Sequence, residues 1–275
     1  MAKTYEELDF TDDFLFCKIM YENPEVCREL VSLILGKKVS TVHYPEKQKV
    51  IELTADGKGV RLDVYLEDDE STVYDIEMQT TVNGSLPKRT RYYQGMLDLN
   101  LISRGADYEE LKSNYVIFIC TRDPFHLGKC KYTFTNRCEE YPELELKDGS
   151  IKVFLNASGD FHGLSEELKN LMSYISKGDI RGEFVKRLDS EVRKAKTHEE
   201  WRTEYMTLLM RDKQKYNEGL SEGISIGREE GINEGQDFLF SAINAVRKGA
   251  TEDDLRRQGF SDKTIQYALE ALTIK

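Results

Sequence analysis

Cysteine and histidine are few in this chain and its positive charge is outnumbered by negative, and each shortage excludes something. Five cysteines (17, 27, 120, 130 and 138) are an odd number with no C-x-x-C pair. That speaks against a disulfide framework and points to a reduced, cytoplasmic protein. Cys120, His126, Cys130 and Cys138 lie near one another in sequence. Their spacings are looser than the knuckles of structural zinc sites, so cysteines that merely pack are the plainer reading. The three remaining histidines are scattered and carry no pattern. No apolar run approaches the roughly 18–20 residues of a membrane span, and no membrane partner is expected. The opening MAKTYEELDF is polar and acidic, unlike a secretory signal. The net charge is −11, and the first 180 residues carry 22 Lys and Arg against 32 Asp and Glu. A broad electrostatic footprint on nucleic acid is thereby excluded, and any DNA binding must rest on local cations and metal ions.

Against these absences stands one informative stretch, Arg61 to Gln79, reading RLDVYLEDDESTVYDIEMQ. Leu62, Val64 and Leu66 alternate with Arg61, Asp63 and Tyr65, and Ile76 and Met78 alternate with Val73, Asp75, Glu77 and Gln79. Period two predicts strands, and the turn formers between Glu67 and Thr72 predict a hairpin. With the loop centred on Glu70, Asp63 faces Glu77, Tyr65 faces Asp75 and Arg61 faces Gln79. Like charges directly opposite one another destabilise a sheet. A divalent cation would compensate Asp63 and Glu77, because Mg²⁺ takes one or two carboxylates plus water and phosphate oxygens. The plainer alternative is a pair of acids on a solvated strand face, which a one-residue slip of register would separate.

Before this stretch, helical spacing over Thr11–Tyr21 and Pro24–Leu35 predicts two helices, with Pro24 at the first position of the second and Gly36 at its C-terminal cap. Glu25 or Glu29 could lend a further carboxylate to a metal site. A strand is expected over 48–54, with a tight turn at Asp56-Gly57 into a strand over 60–66 and then a strand over 73–80. A helix over 86–103 follows, with Leu86, Tyr93, Leu97 and Leu101 as its buried stripe. Lys88, Arg89 and Arg91 crowd its first turns, either as a solvated face or as cations placed to meet a phosphate. YVIFICT (115–121) reads as a strand buried on both faces, and reaching it through a helix predicts a parallel neighbour. Further strands are expected over 131–135, 144–146 and 151–155.

This order, with an Asp entering the second strand and E-x-Q closing the third, resembles the PD-(D/E)XK nuclease superfamily. The blocks DDFLFCKIMYENPEVCRELVSLILG (12–36), RLDVYL (61–66), YDIEMQ (74–79), RTRYYQGMLDL (89–99) and YVIFICTRDPF (115–125) bring it nearest to the recombination-promoting nuclease branch, also labelled a transposase family. The resemblance implies an α/β fold, a restriction-endonuclease-like core with a mixed central sheet flanked by helices, followed by an all-α tail. It implies a Mg²⁺- or Mn²⁺-dependent endonuclease that hydrolyses DNA phosphodiesters, serving recombination or the processing of mobile-element or phage DNA. Asp63 and Glu77 would be metal ligands, with Lys88 and Arg89 neutralising substrate phosphate. Gln79 stands where the superfamily usually has lysine. A glutamine amide can hydrogen-bond the attacking water but cannot deprotonate it. Three readings stay open: Gln79 orients a water that the metal activates, Lys88 or another cation takes over the lysine's role, or the site is degenerate. On the last, the protein is a nuclease-like scaffold acting through its tail.

The tail reads as helices over 164–177, 181–196 and 198–217. Gly219, Gly223, Gly227, Gly231 and Gly235 then recur at an unbroken spacing of four, flanked by Leu220, Ile224 and Ile232. This is either a helix through which copies of the chain associate or a flexible linker. GLSEG (219–223) fits G-x-S-x-G, but it lacks the strand and turn of a nucleophile elbow. The expected organisation is a nuclease-like domain over 1–160, a helical extension packed on it over 161–216, the glycine-repeat segment over 217–236, and a small helical module over 237–275.

Overall fold

A computed structural model describes residues 3–44, 50–51, 60–81 and 84–273. Its elements follow the chain as α1 (Asp13–Glu22), α2 (Pro24–Leu35), β1 (Val42–His43), β2 (Val50–Ile51), β3 (Val60–Arg61), β4 (Val64–Asp68), β5 (Val73–Gln79) and α3 (Leu86–Leu101). Then come β6 (Asn114–Cys120), β7 (Lys131–Phe134), β8 (Ser150–Asn156), α4 (Glu166–Lys177), α5 (Glu183–Lys196), α6 (Glu199–Arg247), α7 (Glu252–Arg257) and α8 (Asp262–Thr273). Two compact units divide them, Met1–Tyr205 and Met206–Lys275.

The first unit is built on a mixed six-stranded sheet in the order β1-β4-β5-β6-β8-β7, with β2 and β3 forming a separate antiparallel pair. β4 and β5 make an antiparallel hairpin, while β5, β6 and β8 run parallel. The hairpin register is the expected one, with Tyr65 opposite Asp75. Alternation then sorts the side chains to two cores. Val64, Leu66, Ile76, Met78, Ile117 and Ile119 pack with α1, α2, α4 and α5. Tyr65, Val73, Val116, Phe118 and Cys120 pack under α3, whose Leu86, Met96 and Leu97 close that side. Asp75, Glu77 and Gln79 share the face of Val73, so the polar end of β5 is turned toward α3. Pro24 opens α2, and Gly36 caps it at φ +70°, a left-handed conformation that glycine adopts without the steric cost of a Cβ.

Four expectations need correction. The strand expected over 60–66 is two strands, because the chain bends at Leu62–Asp63. The bend shifts the alternation, so Leu62 packs with Tyr65 rather than with Val64 and Leu66. Arg61 pairs through its backbone with Val50, not with Gln79. Residues 144–146 form no strand, only a bridge between Glu145 and Arg137. In the tail, the helix expected to stop at 217 continues to Arg247 as α6, straight through the five glycines. Most of the strand expected over 48–54, and the turn at Asp56-Gly57, lie outside the described residues.

In the second unit, the end of α6 packs on α7 and α8 around Ala242, Leu255, Ile265 and Ala268, all buried. Phe238 and Phe260 meet at a tilt of 45° at the edge of this small core, with ring centroids 4.6 Å apart. Among the described residues no helix is long and apolar enough to cross a membrane.

Candidate active site

The bend at Leu62–Asp63 ends the β4–β5 ladder at Val64 and Ile76, and two side chains take over the hydrogen bonds beyond it. The backbone N–H of Asp63 donates to Glu77 Oε1 at 3.0 Å, and the backbone N–H of Met78 donates to Asp63 Oδ2 at 3.2 Å. Each carboxylate is thus held by the backbone of the opposite chain segment. The interlock satisfies buried N–H groups that would otherwise be orphaned, and it brings two acids side by side.

α3 supplies the neighbouring cation. Arg89 Nη2 donates to Glu77 Oε2 at 2.6 Å, Nη1 donates to Gln79 Oε1 at 2.8 Å, and Nε donates to the Tyr93 hydroxyl at 3.0 Å. Its guanidinium also lies over the Tyr93 and Phe118 rings, 5.0 and 5.1 Å from their centroids, a favourable cation–π arrangement. Gln79 is occupied at both ends, since its Nε2 donates to the Thr81 carbonyl at 2.7 Å and to Thr81 Oγ1 at 3.0 Å.

The electrostatics are strained by acid. Burial, the Glu77 charge and the Asp13 charge push Asp63 up to about 7, against the opposing help of the Met78 N–H and Arg89. Asp75, fully buried, is held well above the ordinary carboxylate range by desolvation and then by Glu77 and Asp63. Desolvation also raises Glu77, despite the Asp63 N–H and Arg89. Neither Asp75 oxygen meets a fixed donor among the described residues. Among the described residues one arginine therefore faces three carboxyl groups, a crowd of acidic oxygens that suits a further cation.

Of the residues singled out in sequence, Asp63, Glu77, Gln79 and Arg89 come together in one network. Lys88 is exposed on α3 and takes part in none of its hydrogen bonds. Glu25 pairs with Arg28 and Glu29 with Arg187, so neither joins the acids. Cys120 and Cys130 are buried as packing residues, and burial pushes the Cys120 thiol up to about 12. Three further residues reach the site without having been expected there: Asp75, placed only opposite Tyr65, Tyr93, placed only in the buried stripe of its helix, and Asp13. Asp75 could have been found from its place two residues before Glu77 on the same strand face, and Tyr93 from its i+4 spacing to Arg89. Asp13 acts on Asp63 across about fifty residues of chain, a proximity with no sequence signal.

Two adjacent carboxylates, with a third buried carboxyl that lacks a donor, are a donor set of hard oxygens and fit a hard divalent cation. No set of three or more His, Cys, Asp or Glu side chains among the described residues surrounds one point as a metal cage. Such a cation would therefore complete its shell with water and substrate oxygens. Compared with known proteins, residues 9–144 match the family model described as PD-(D/E)XK nuclease family transposase. No curated protein and no solved structure matches the chain.

Proposed function

Residues 9–144 belong to the PD-(D/E)XK nuclease family transposase group, and from that premise we propose that the protein is a Mg²⁺- or Mn²⁺-dependent DNA endonuclease. The observation that carries this reading is the interlocked pair of Asp63 and Glu77, which would hold the metal. When bound, the ion supplies a more acidic water and a Lewis acid at the scissile phosphate. The chain's own part is to fix the two carboxylates before substrate arrives, so that little reorganisation remains at the moment of reaction. Lys88, exposed beside Arg89, would meet substrate phosphate as a point charge.

Incubation of supercoiled plasmid with Mg²⁺ or Mn²⁺ tests the reading. Nicking or linearisation should appear with the wild-type chain. It should vanish with chelator and in Asp63→Ala and Glu77→Ala, while both variants keep their helical and strand content. Cutting that persists in both variants would rule the site out.

A second reading, the catalytically inert scaffold, is favoured by one observation: Glu77 and Gln79 already have a partner in Arg89. Calorimetry separates the two, since a scaffold binds neither Mg²⁺ nor Mn²⁺ in a manner that depends on Glu77. On either reading, association of copies through the C-terminal helices is part of the proposal. It is supported by Leu220, Ile224 and Ile232, which α6 leaves exposed beside the glycine stripe. Promotion of recombination, or processing of mobile-element or phage DNA, would be the biological use of such a nuclease.

A further inference from the structure

Gln79 is tied at both ends, which leaves one lone pair of its carbonyl oxygen and no fixed donor for a water. Its carbonyl oxygen accepts from Arg89, and its amide nitrogen is spent on Thr81. Arg89 is placed differently. Its hydrogen bonds among the described residues use one N–H on each of Nη1, Nη2 and Nε, and a guanidinium carries five such donors in a rigid fork. Two therefore remain, one on each terminal nitrogen. The Arg89 side chain is 32% exposed, while that of Glu77 is 1% exposed. Arg89, like Asp63 and Tyr93, is thus a part of the network that solvent, and so a phosphodiester, can reach, and it is the one that carries a positive charge.

From this geometry we infer that Arg89 is the catalytic cation of the site and that Gln79 is its positioning residue, holding the guanidinium against Glu77. The inference rests on the reading of Asp63 and Glu77 as metal ligands. A guanidinium stays protonated at any working pH, so Arg89 cannot accept a proton from water. Its work is to place two N–H donors and a positive charge on the non-bridging oxygens of the scissile phosphate, where negative charge grows in the transition state. Gln79 suits its own task because its carbonyl accepts from Arg89 without adding charge. A glutamate there would add a fourth carboxyl to a crowded cluster. A lysine there would set a second cation against the first.

That last point makes the inference testable, because a lysine is what the superfamily resemblance leads one to expect at position 79. If Gln79 is a decayed lysine, Gln79→Lys restores or improves cutting. If it positions Arg89, the same change repels the guanidinium from Glu77 and lowers cutting. The experiment compares full-length wild type, Arg89→Ala, Arg89→Lys, Gln79→Lys and the Gln79→Lys/Arg89→Ala double variant. Each is assayed for plasmid nicking with Mn²⁺, for Mn²⁺ binding by calorimetry, and for thermal unfolding.

Arg89→Ala should lose about 10²-fold in rate, the usual scale for removing one transition-state donor. Its Mn²⁺ affinity should be retained or increased, since a competing cation has left Glu77. Arg89→Lys keeps the charge without the fork and should fall between wild type and Arg89→Ala. Gln79→Lys should lose at least about tenfold, a barrier increase of ~1.4 kcal/mol. The double variant should recover part of the Arg89→Ala loss, because the cation returns from position 79. Gln79→Lys cutting as fast as wild type or faster overturns the inference, and this arm decides even where Arg89→Ala does not fold. Loss of Mn²⁺ binding in a folded Arg89→Ala also overturns it, making Arg89 a structural support of Glu77. Unchanged Mn²⁺ binding by Glu77→Ala would instead defeat the metal-ligand reading on which the inference stands.

Discussion

Asp63, Asp75 and Glu77 are acids that folding makes harder to ionise, and this has a sign that can be read in a melting curve. Their pKa values in the folded chain lie above the ordinary carboxylate range, with Asp63 at about 7. The folded protein therefore holds protons that the unfolded chain releases at about pH 4. Stability from these groups is complete below that point and is lost as pH rises through their folded values, about 7 for Asp63. Acids shifted the other way, such as Asp9 and Asp123, add stability above about pH 4 and lose it only below, outside this window. In chelator, the melting temperature should thus be lower at pH 8 than at pH 6. Asp63→Asn should flatten the slope, and Mg²⁺ or Mn²⁺ should raise the melting temperature at pH 8. A metal-free protein that melts higher at pH 8 than at pH 6 would contradict the crowding of these acids.

Most elements of this fold were legible because each was written in one period. The apolar stripe of α2, the two-faced burial of β6 and the register of Tyr65 with Asp75 about Glu70 all follow from spacing. What escaped was structure made by side chains acting on backbone. Nothing in the alternation of RLDVYL shows that Asp63 will bend the strand by accepting from Met78, or that Leu62 will change sides. The glycine repeat escaped for a different reason, since a spacing of four suits both a helix and a linker. As helix, the five glycines cost about 4–5 kcal/mol relative to alanine, and a Cβ added at any of them meets nothing within 4 Å in the single chain. Gly223→Ala/Gly227→Ala/Gly231→Ala should therefore raise helicity and melting temperature of the isolated chain, by about 1 kcal/mol per site. If copies associate through this stripe, the same variant should also dissociate more readily in sedimentation velocity. Stronger helix with unchanged association would remove the glycines from the interface and leave their cost unexplained.

Across the whole molecule, the family match ends at residue 144, whereas the core that supports the site does not. Leu168, Leu171 and Met172 of α4, with Phe184, Val185 and Leu188 of α5, are buried in the same cluster as α1 and α2. The Tyr5 hydroxyl donates to the Ala195 carbonyl, and the Tyr205 hydroxyl donates to the Lys3 carbonyl. Each large apolar side chain stripped of its cover forfeits about 1.5–3 kcal/mol, against a total stability of about 5–15 kcal/mol. A fragment of residues 1–160 should therefore give no cooperative unfolding transition by calorimetry, and a fragment of residues 1–205 should give one. A cooperative melt from the shorter piece would place the helical extension outside the folding unit.

The reciprocal grip of Asp63 and Glu77 also bears on descent. Each acid is anchored by a backbone N–H next to or at the other's position, so losing one leaves a donor of the other's segment without its acceptor. A change at either acid is therefore felt in the segment of the other, and if the chemistry were abandoned the bend would persist only where something else came to hold those two donors.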